Sequence, residues 1–181
     1  MSRLRIFSEA EPERVQFESE QFAAIREELA ARGVRFERWQ ASAPLAPGAE
    51  AADVLAAYAD DIARLKQEGG YQAVDVVSLH PEAPNRAEAR QKFLNEHTHA
   101  EDEVRFFVGG RGLFTLHIGT EVLEVLCVKD DLIAVPAGTR HWFDMSERPS
   151  FIAIRLFTNP AGWVANFTGD DIAQRFPRLA A

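Results

Sequence analysis

Residues 95–110 read NEHTHAEDEVRFFVGG, with two histidines and a glutamate placed directly before an apolar run. In an extended strand, residues two apart share a face, so His97 and His99 can address one spot. Glu103 comes four positions after His99, close enough to return to that spot after a small bend at Ala100–Asp102. Titrating side chains are poor core material, and a solvated loop has no use for paired histidines. The stretch therefore predicts strands that carry the donors for a bound group.

The chain on either side of this stretch changes character at residue 97. Beyond it, VRFFV, LFTLHI, VLEVLCV, DLIAVP, HWFDM and SFIAIRLF are short runs rich in Val, Ile and Phe, separated by the turn-like pieces GGRG, GTE, KDD, PAGT and SERPS. Many short strands at this spacing predict an antiparallel sandwich or barrel. Before it, residues 19–32 set Phe22, Ile25 and Leu29 at helical spacing, with Ser19 as a candidate cap and Gly33 as the stop. GVRFERWQ alternates like a half-buried strand, and APLAPGAEA is a turn region. Residues 51–68 predict one amphipathic helix with Val54, Leu55, Tyr58, Ile62 and Leu65 on a stripe, ended by Gly69 and Gly70. YQAVDVVSL predicts a strand and RAEARQKFLNE a short helix; the tail, GWVANFTGDDIAQRFPRLAA, begins irregular and holds one or two helical turns.

At 181 residues the chain fits one domain with a core of its own. Within 1–181 we expect 1–96 to pack helices and strands on a barrel, 97–160 to form the barrel core that carries the paired histidines, and 161–181 to be a tail with a short helix. A net charge of −8 with no Lys/Arg cluster argues against a nucleic-acid partner. The single cysteine, Cys127, excludes an internal disulfide framework and reads as a small buried hydrophobe in an apolar strand. The N-terminus lacks a signal-peptide core, and no apolar run reaches membrane-spanning length. The expectation is a cytoplasmic protein with no membrane partner, and a monomer, because no long apolar surface helix or heptad pattern is present.

His141 ends PAGTRH, where Pro136 and Gly138 make a turn and a new strand begins. Adjacent barrel strands would bring it opposite His97 and His99. Three imidazoles and one carboxylate suit a first-row divalent metal, whereas calcium would prefer an all-oxygen set. Four protein donors on an octahedral ion leave two positions for a chelating small molecule. A lone histidine is more often structural, and that reading is kept for His80 and His117. Strand alternation opposes His117 to Phe114, Leu116 and Ile118, which places it on the solvent side.

H-x-H-x-x-x-E followed by P-x-G-x-x-H resembles the two signature motifs of the cupin superfamily. Gln91 and Asp130 stand where those motifs often begin with glycine; aspartate tolerates turn geometry, and the first departure implies a different lead into the strand. A closer resemblance runs over nearly the whole chain. GVRFERWQ, KFLNEHTHAEDEVRFFV, LFTLHIG, VLCVKDDLIAVPAGTRHWFDM, AIRLF and GWVANFTGDDIA look like the bacterial acireductone dioxygenase family of methionine salvage.

The resemblance implies a mainly β fold with peripheral helices, a cupin-type double-stranded β-barrel or jelly-roll. It implies one Fe(II) or Ni(II) per monomer held by His97, His99, Glu103 and His141. The reaction it implies is cleavage of 1,2-dihydroxy-3-keto-5-methylthiopentene by O2. Iron would give formate and the keto-acid precursor of methionine; nickel would give formate, carbon monoxide and methylthiopropionate. It further assigns Arg105 to forming the substrate dianion, Glu96 to metal incorporation and Asp102 to relaying local conformational change. From the residues alone, a strand salt bridge is the preferred reading of Arg105, Glu96 could equally be a solvated carboxylate, and Asp102 could accept a proton from a ligand histidine. Phe93, Phe106, Phe107, Trp142, Phe143 and Trp163 could line a pocket for the methylthio tail or be plain core. Two readings compete: another metal cupin enzyme, which would share the four donors, and a non-catalytic small-molecule sensor or binding barrel, a class that often loses one or more of them.

Overall fold

The computed structural model describes all 181 residues, and its strands decide the architecture. They are β1 (Arg3–Ser8), β2 (Val15–Ser19), β3 (Arg35–Arg38), β4 (Ala73–Leu79), β5 (His97–Thr98), β6 (Glu103–Ile118), β7 (Glu121–Val128), β8 (Asp131–Val135), β9 (Arg140–Asp144), β10 (Phe151–Phe157) and β11 (Asn166–Phe167). Every pairing is antiparallel. One layer runs β11-β5-β9-β6-β7-β1-β2 and the other β4-β10-β6-β8-β3, so β6 belongs to both.

That double membership corrects one expectation. GGRG is not a turn between two strands; β6 continues through it for 16 residues. Its first half pairs with β8 and β10, its second with β7 and β9, and the register against β10 slips between Ile152 and Ala153. A bulge with glycine is how a strand turns the corner between two packed sheets. Gly110 has φ +67°, and a Cβ there would lie 1.8 Å from the Ser150 carbonyl oxygen. Only glycine fits that corner. The turns after it read as expected: Gly119 has φ +61° between β6 and β7, and Asp130 has φ +79° between β7 and β8.

The barrel interior is filled from both layers by Leu4, Phe36, Phe107, Leu116, Val125 and Ile133, with Cys127 fully buried among them. A second apolar cluster lies outside the β10-β6-β8 wall. There Val54, Tyr58, Ile62 and Leu65 cover Val104, Phe106, Ile152 and Ile154. Those four come from two helices, α2 (Ala51–Ala57) and α3 (Ala59–Gly69), rather than one. The break is at Tyr58, with φ −113° and ψ 23°. Its buried ring meets Phe106 edge-on at 5.7 Å, and its hydroxyl donates to the Ala43 carbonyl at 3.2 Å. Tertiary contacts there outweigh the continuous helical stripe.

The first helix, α1 (Phe22–Ala30), starts later than expected. Ser19 closes β2, opposite Leu4, and is not its cap. β1 and β2 form the edge of the histidine-bearing layer, a role that no motif in MSRLRIFSEAEPE announced. α4 (Arg86–Leu94) delivers the chain to His97. At the far end, Ile172, Ala173 and Phe176 of the tail pack on Phe7, Val122 and Trp142. No helix is long and apolar enough to cross a membrane.

Candidate metal centre

β5 and β9 are neighbours, and their single register pair is His97 with His141. His99 comes just past the end of β5, and Glu103 opens β6. Ligand atoms of the three histidines lie within 4.8 Å of one another. Glu103 Oε2 is 3.2 Å from His99 Nε2 and 3.8 Å from His141 Nε2. Phe114 stacks on His141 with ring centroids 5.3 Å apart, which fixes that imidazole plane.

The hydrogen bonds settle the tautomers. Nδ1 of His97 lies 2.7 Å from the Asn95 carbonyl, Nδ1 of His99 lies 3.0 Å from the Val164 carbonyl, and Nδ1 of His141 lies 2.8 Å from the Thr139 carbonyl. A carbonyl oxygen can only accept, so each Nδ1 carries a proton, and in the neutral ring Nε2 is then the nitrogen with the free lone pair. Burial disfavours the imidazolium forms, with His97 pushed down to about 4 and His141 to about 3. Burial is the largest influence and by itself would raise the Glu103 carboxyl, but Arg105, with His99, His141 and Arg155, together outweigh it and hold the group well below the usual range. The result is neutral imidazoles at His97 and His141 facing one anionic carboxylate.

These groups also fail to satisfy each other. Nε2 of His99 and of His141 and Oε2 of Glu103 are buried without a hydrogen-bond partner. Unpaired buried polar atoms are rare and costly, and a cluster of acceptors aimed at one point asks for a cation. The donor set fits a first-row divalent metal.

The other predicted residues fall into place unevenly. Arg105 is buried, and its Nε donates to Glu103 Oε1 at 2.5 Å, so the strand salt bridge and the site are one structure. Asp102 does not meet an imidazole. It accepts from the Ala137 N–H at 2.7 Å, and the Gly138 N–H donates to the His99 carbonyl at 2.9 Å. These two bonds join the loop before His141 to the loop after His99. Glu96 is no solvated carboxylate: it is buried, 2.6 Å from His117 Nδ1, and accepts from the Thr168 hydroxyl at 2.8 Å.

His117 is the clearest correction. It is 3% exposed rather than on the solvent side, bridging Glu96 and, at 2.7 Å, Glu9. Alternation did put it on the face opposite Phe114 and Leu116, but the N-terminal segment and the tail cover that face. His80 plays no part in the cluster.

Beside the histidines opens a cavity of about 480 Å³ lined by Phe93, His97, His99, Arg155, Trp163 and Phe167, among others. Of the six aromatics considered from sequence, Phe93 and Trp163 line it. Phe107 and Phe143 are barrel core, Phe106 faces the outer helices, and Trp142 packs under the tail. Arg155 was missed; the available signal was an arginine at an inward position of the otherwise apolar FIAIRLF. A larger, charged cleft of about 620 Å³ near Arg26, Trp39 and Arg64 contains none of these donors.

Comparison with known proteins decides which barrel this is. The sequence model of the ARD/ARD′ family matches residues 3–165. The chain belongs to that family, the acireductone dioxygenases. It is 62% identical over 178 residues to the acireductone dioxygenase of Stenotrophomonas maltophilia (strain K279a), covering 98% of this chain and 96% of that one. It is 60% identical over 179 residues to that of Pseudomonas aeruginosa (strain UCBPP-PA14), covering 99% of each. Among solved structures, acireductone dioxygenase from Bacillus anthracis, with a cadmium ion in its active center, superposes with a TM-score of 0.81 at 32% identity, covering 92% of this chain and 98% of that one.

Proposed function

We propose that this chain is a metal-dependent acireductone dioxygenase, in which His97, His99, Glu103 and His141 hold one Fe(II) or Ni(II). Its substrate on this reading is 1,2-dihydroxy-3-keto-5-methylthiopentene, cleaved by O2. With iron the products are formate and 4-methylthio-2-oxobutanoate; with nickel they are formate, carbon monoxide and 3-methylthiopropionate. The reading places a monomer in the cytoplasm, with this small molecule and O2 as its only reactants.

The observation that carries the proposal is the convergence of unpaired donors beside a half-apolar cavity. Bound there, a divalent ion supplies Lewis acidity and a template for two substrate oxygens. The chain's own residues do the rest. Main-chain carbonyls at Asn95, Thr139 and Val164 hold the imidazoles in one tautomer and orientation. Arg105 keeps Glu103 ionised and adds positive potential beneath it, which favours a deprotonated ene-diol. Phe93, Trp163 and Phe167 offer an apolar wall to the methylthio tail and exclude water from that side. With a single carboxylate among four donors, the loaded site keeps net positive charge and attracts an anion into an acidic protein.

The test is direct. Protein loaded with iron or with nickel is mixed anaerobically with the acireductone, and oxygen is then admitted. Oxygen-dependent loss of substrate absorbance is expected with both metals, with carbon monoxide released only by the nickel form. No loss beyond a metal-free control with either metal would overturn the proposal.

A further inference from the structure

One row across the cavity wall holds three charged residues. Asp75 on β4 is opposite Arg155 on β10, which is opposite Arg105 on β6. Arg155 is in phase with Phe151 and Ala153, which face the barrel interior, so its side chain leaves the sheet on the metal side. Asp75 grips Arg155 with two bonds, Nε to Oδ1 at 2.8 Å and Nη2 to Oδ2 at 2.6 Å. Arg105 is gripped by Glu103 through Nε, while its Nη2 is buried with no partner.

Two cations directly opposite on neighbouring strands repel unless something anionic joins them. Both guanidiniums flank one ring: Phe93 lies 5.6 Å from Arg105 Cζ and 5.7 Å from Arg155 Cζ. Phe157 lies 5.5 Å from Arg155 Cζ and 5.7 Å from His99, so Arg155 is one ring away from a ligand. Of the two arginines only Arg155 borders the cavity that His97 and His99 also border. A divalent ion and two guanidiniums set against two carboxylates leave two uncompensated positive charges. An ene-diolate dianion is their complement.

We propose that Arg155, held in place by Asp75, is the side chain that contacts the substrate's oxyanions, while Arg105 acts on the same charge from beneath through Glu103. This rests on the acireductone reading above and deepens it. A guanidinium with both Nε and Nη2 committed to Asp75 is rigid and keeps its remaining N–H groups for a ligand. A structural ion pair alone would need neither the cavity nor the second cation.

The experiment is an anaerobic titration of nickel-loaded protein with acireductone. It reads affinity and, from the ultraviolet spectrum, the fraction bound as dianion; metal content and melting temperature are measured alongside. For Arg155→Gln we expect a Kd raised by roughly ten- to hundredfold and less bound dianion, with metal content unchanged. Arg155→Lys should recover part of the affinity. Asp75→Asn, at a half-exposed position, keeps the guanidinium but loosens it, and should weaken binding by a smaller factor. Wild-type affinity and spectrum in Arg155→Gln would overturn the proposal. If that variant does not hold metal, wild-type affinity in Asp75→Asn would overturn it instead. Failure of the unmodified protein to bind acireductone removes the function itself, and this inference with it.

Discussion

Arg105 reaches back two residues along β6 and donates to one oxygen of Glu103, so the other oxygen is left bare 3.2 Å from His99 Nε2. One carboxylate thus faces the fixed guanidinium on one side and the site the histidines surround on the other. That arrangement makes Glu103 the residue where fold and metal affinity are least separable.

Glu103→Gln keeps the volume and removes the charge. Arg105 then becomes a buried cation without its counter-ion, a change that costs about 3–5 kcal/mol. We predict a lower denaturation midpoint for the metal-free variant and, by elemental analysis, well under one metal per chain. A variant that retains full metal and full stability would show that Glu103 is not a ligand.

His117, which no sequence motif marked, should matter nearly as much. Replacing it with Leu strands the buried carboxylate of Glu96 next to His97. The expected loss is about 3 kcal/mol or more in urea unfolding, with Glu9→Gln, at a half-exposed partner, costing under about 1 kcal/mol. Equal, small effects from both would mean that the bridge contributes little.

The corner of β6 gives a contrast between two glycines of similar φ. Ala at Gly110 drives its Cβ into main chain 1.8 Å away, whereas Ala at Gly119 meets nothing within 4 Å. Gly119→Ala should cost only the left-handed penalty of about 1–2 kcal/mol. Gly110→Ala should exceed it by several kcal/mol or prevent folding, as judged by soluble yield and equilibrium unfolding. Similar costs at both positions would argue against the sheet corner.

Asp144 supplies the pH dependence. Burial works against its carboxylate, but bonds from Arg90 and from the Leu179 and Ser146 N–H groups prevail and hold its pKa below the ordinary aspartate range. A depressed folded pKa stabilises above the unfolded value and is lost as pH falls through the folded one. The stability difference between the wild type and Asp144→Asn should therefore be full above about pH 5 and shrink below about pH 4. A difference that stays constant from pH 6 to pH 3 contradicts this account.

Much of the site was legible because its signals are local. H-x-H on a strand needs only the period of two to put both rings on one face, and P-x-G-x-x-H announces a turn and a strand restart within six residues. The four donors, the β-rich second half and the buried Cys127 follow from such short-range rules. Aspartate at the 130 turn follows from backbone sterics alone.

What the tertiary structure decided concerns faces and their covers. Periodicity tells which side of a strand a residue occupies, not what will lie against that side. His117 was assigned the correct face, yet residues more than twenty positions away, Glu9 and Glu96, close over it. GGRG looks like a turn until two layers compete for one strand, and the helix at 51–68 breaks because Phe106 and Ala43 claim Tyr58. Arg155 becomes meaningful only when β4 and β6 flank β10 and set a carboxylate on one side of it and a second guanidinium on the other. Short-range sterics and alternation are written into the chain itself; burial, and the neighbours that electrostatics acts upon, come into being only when distant segments meet.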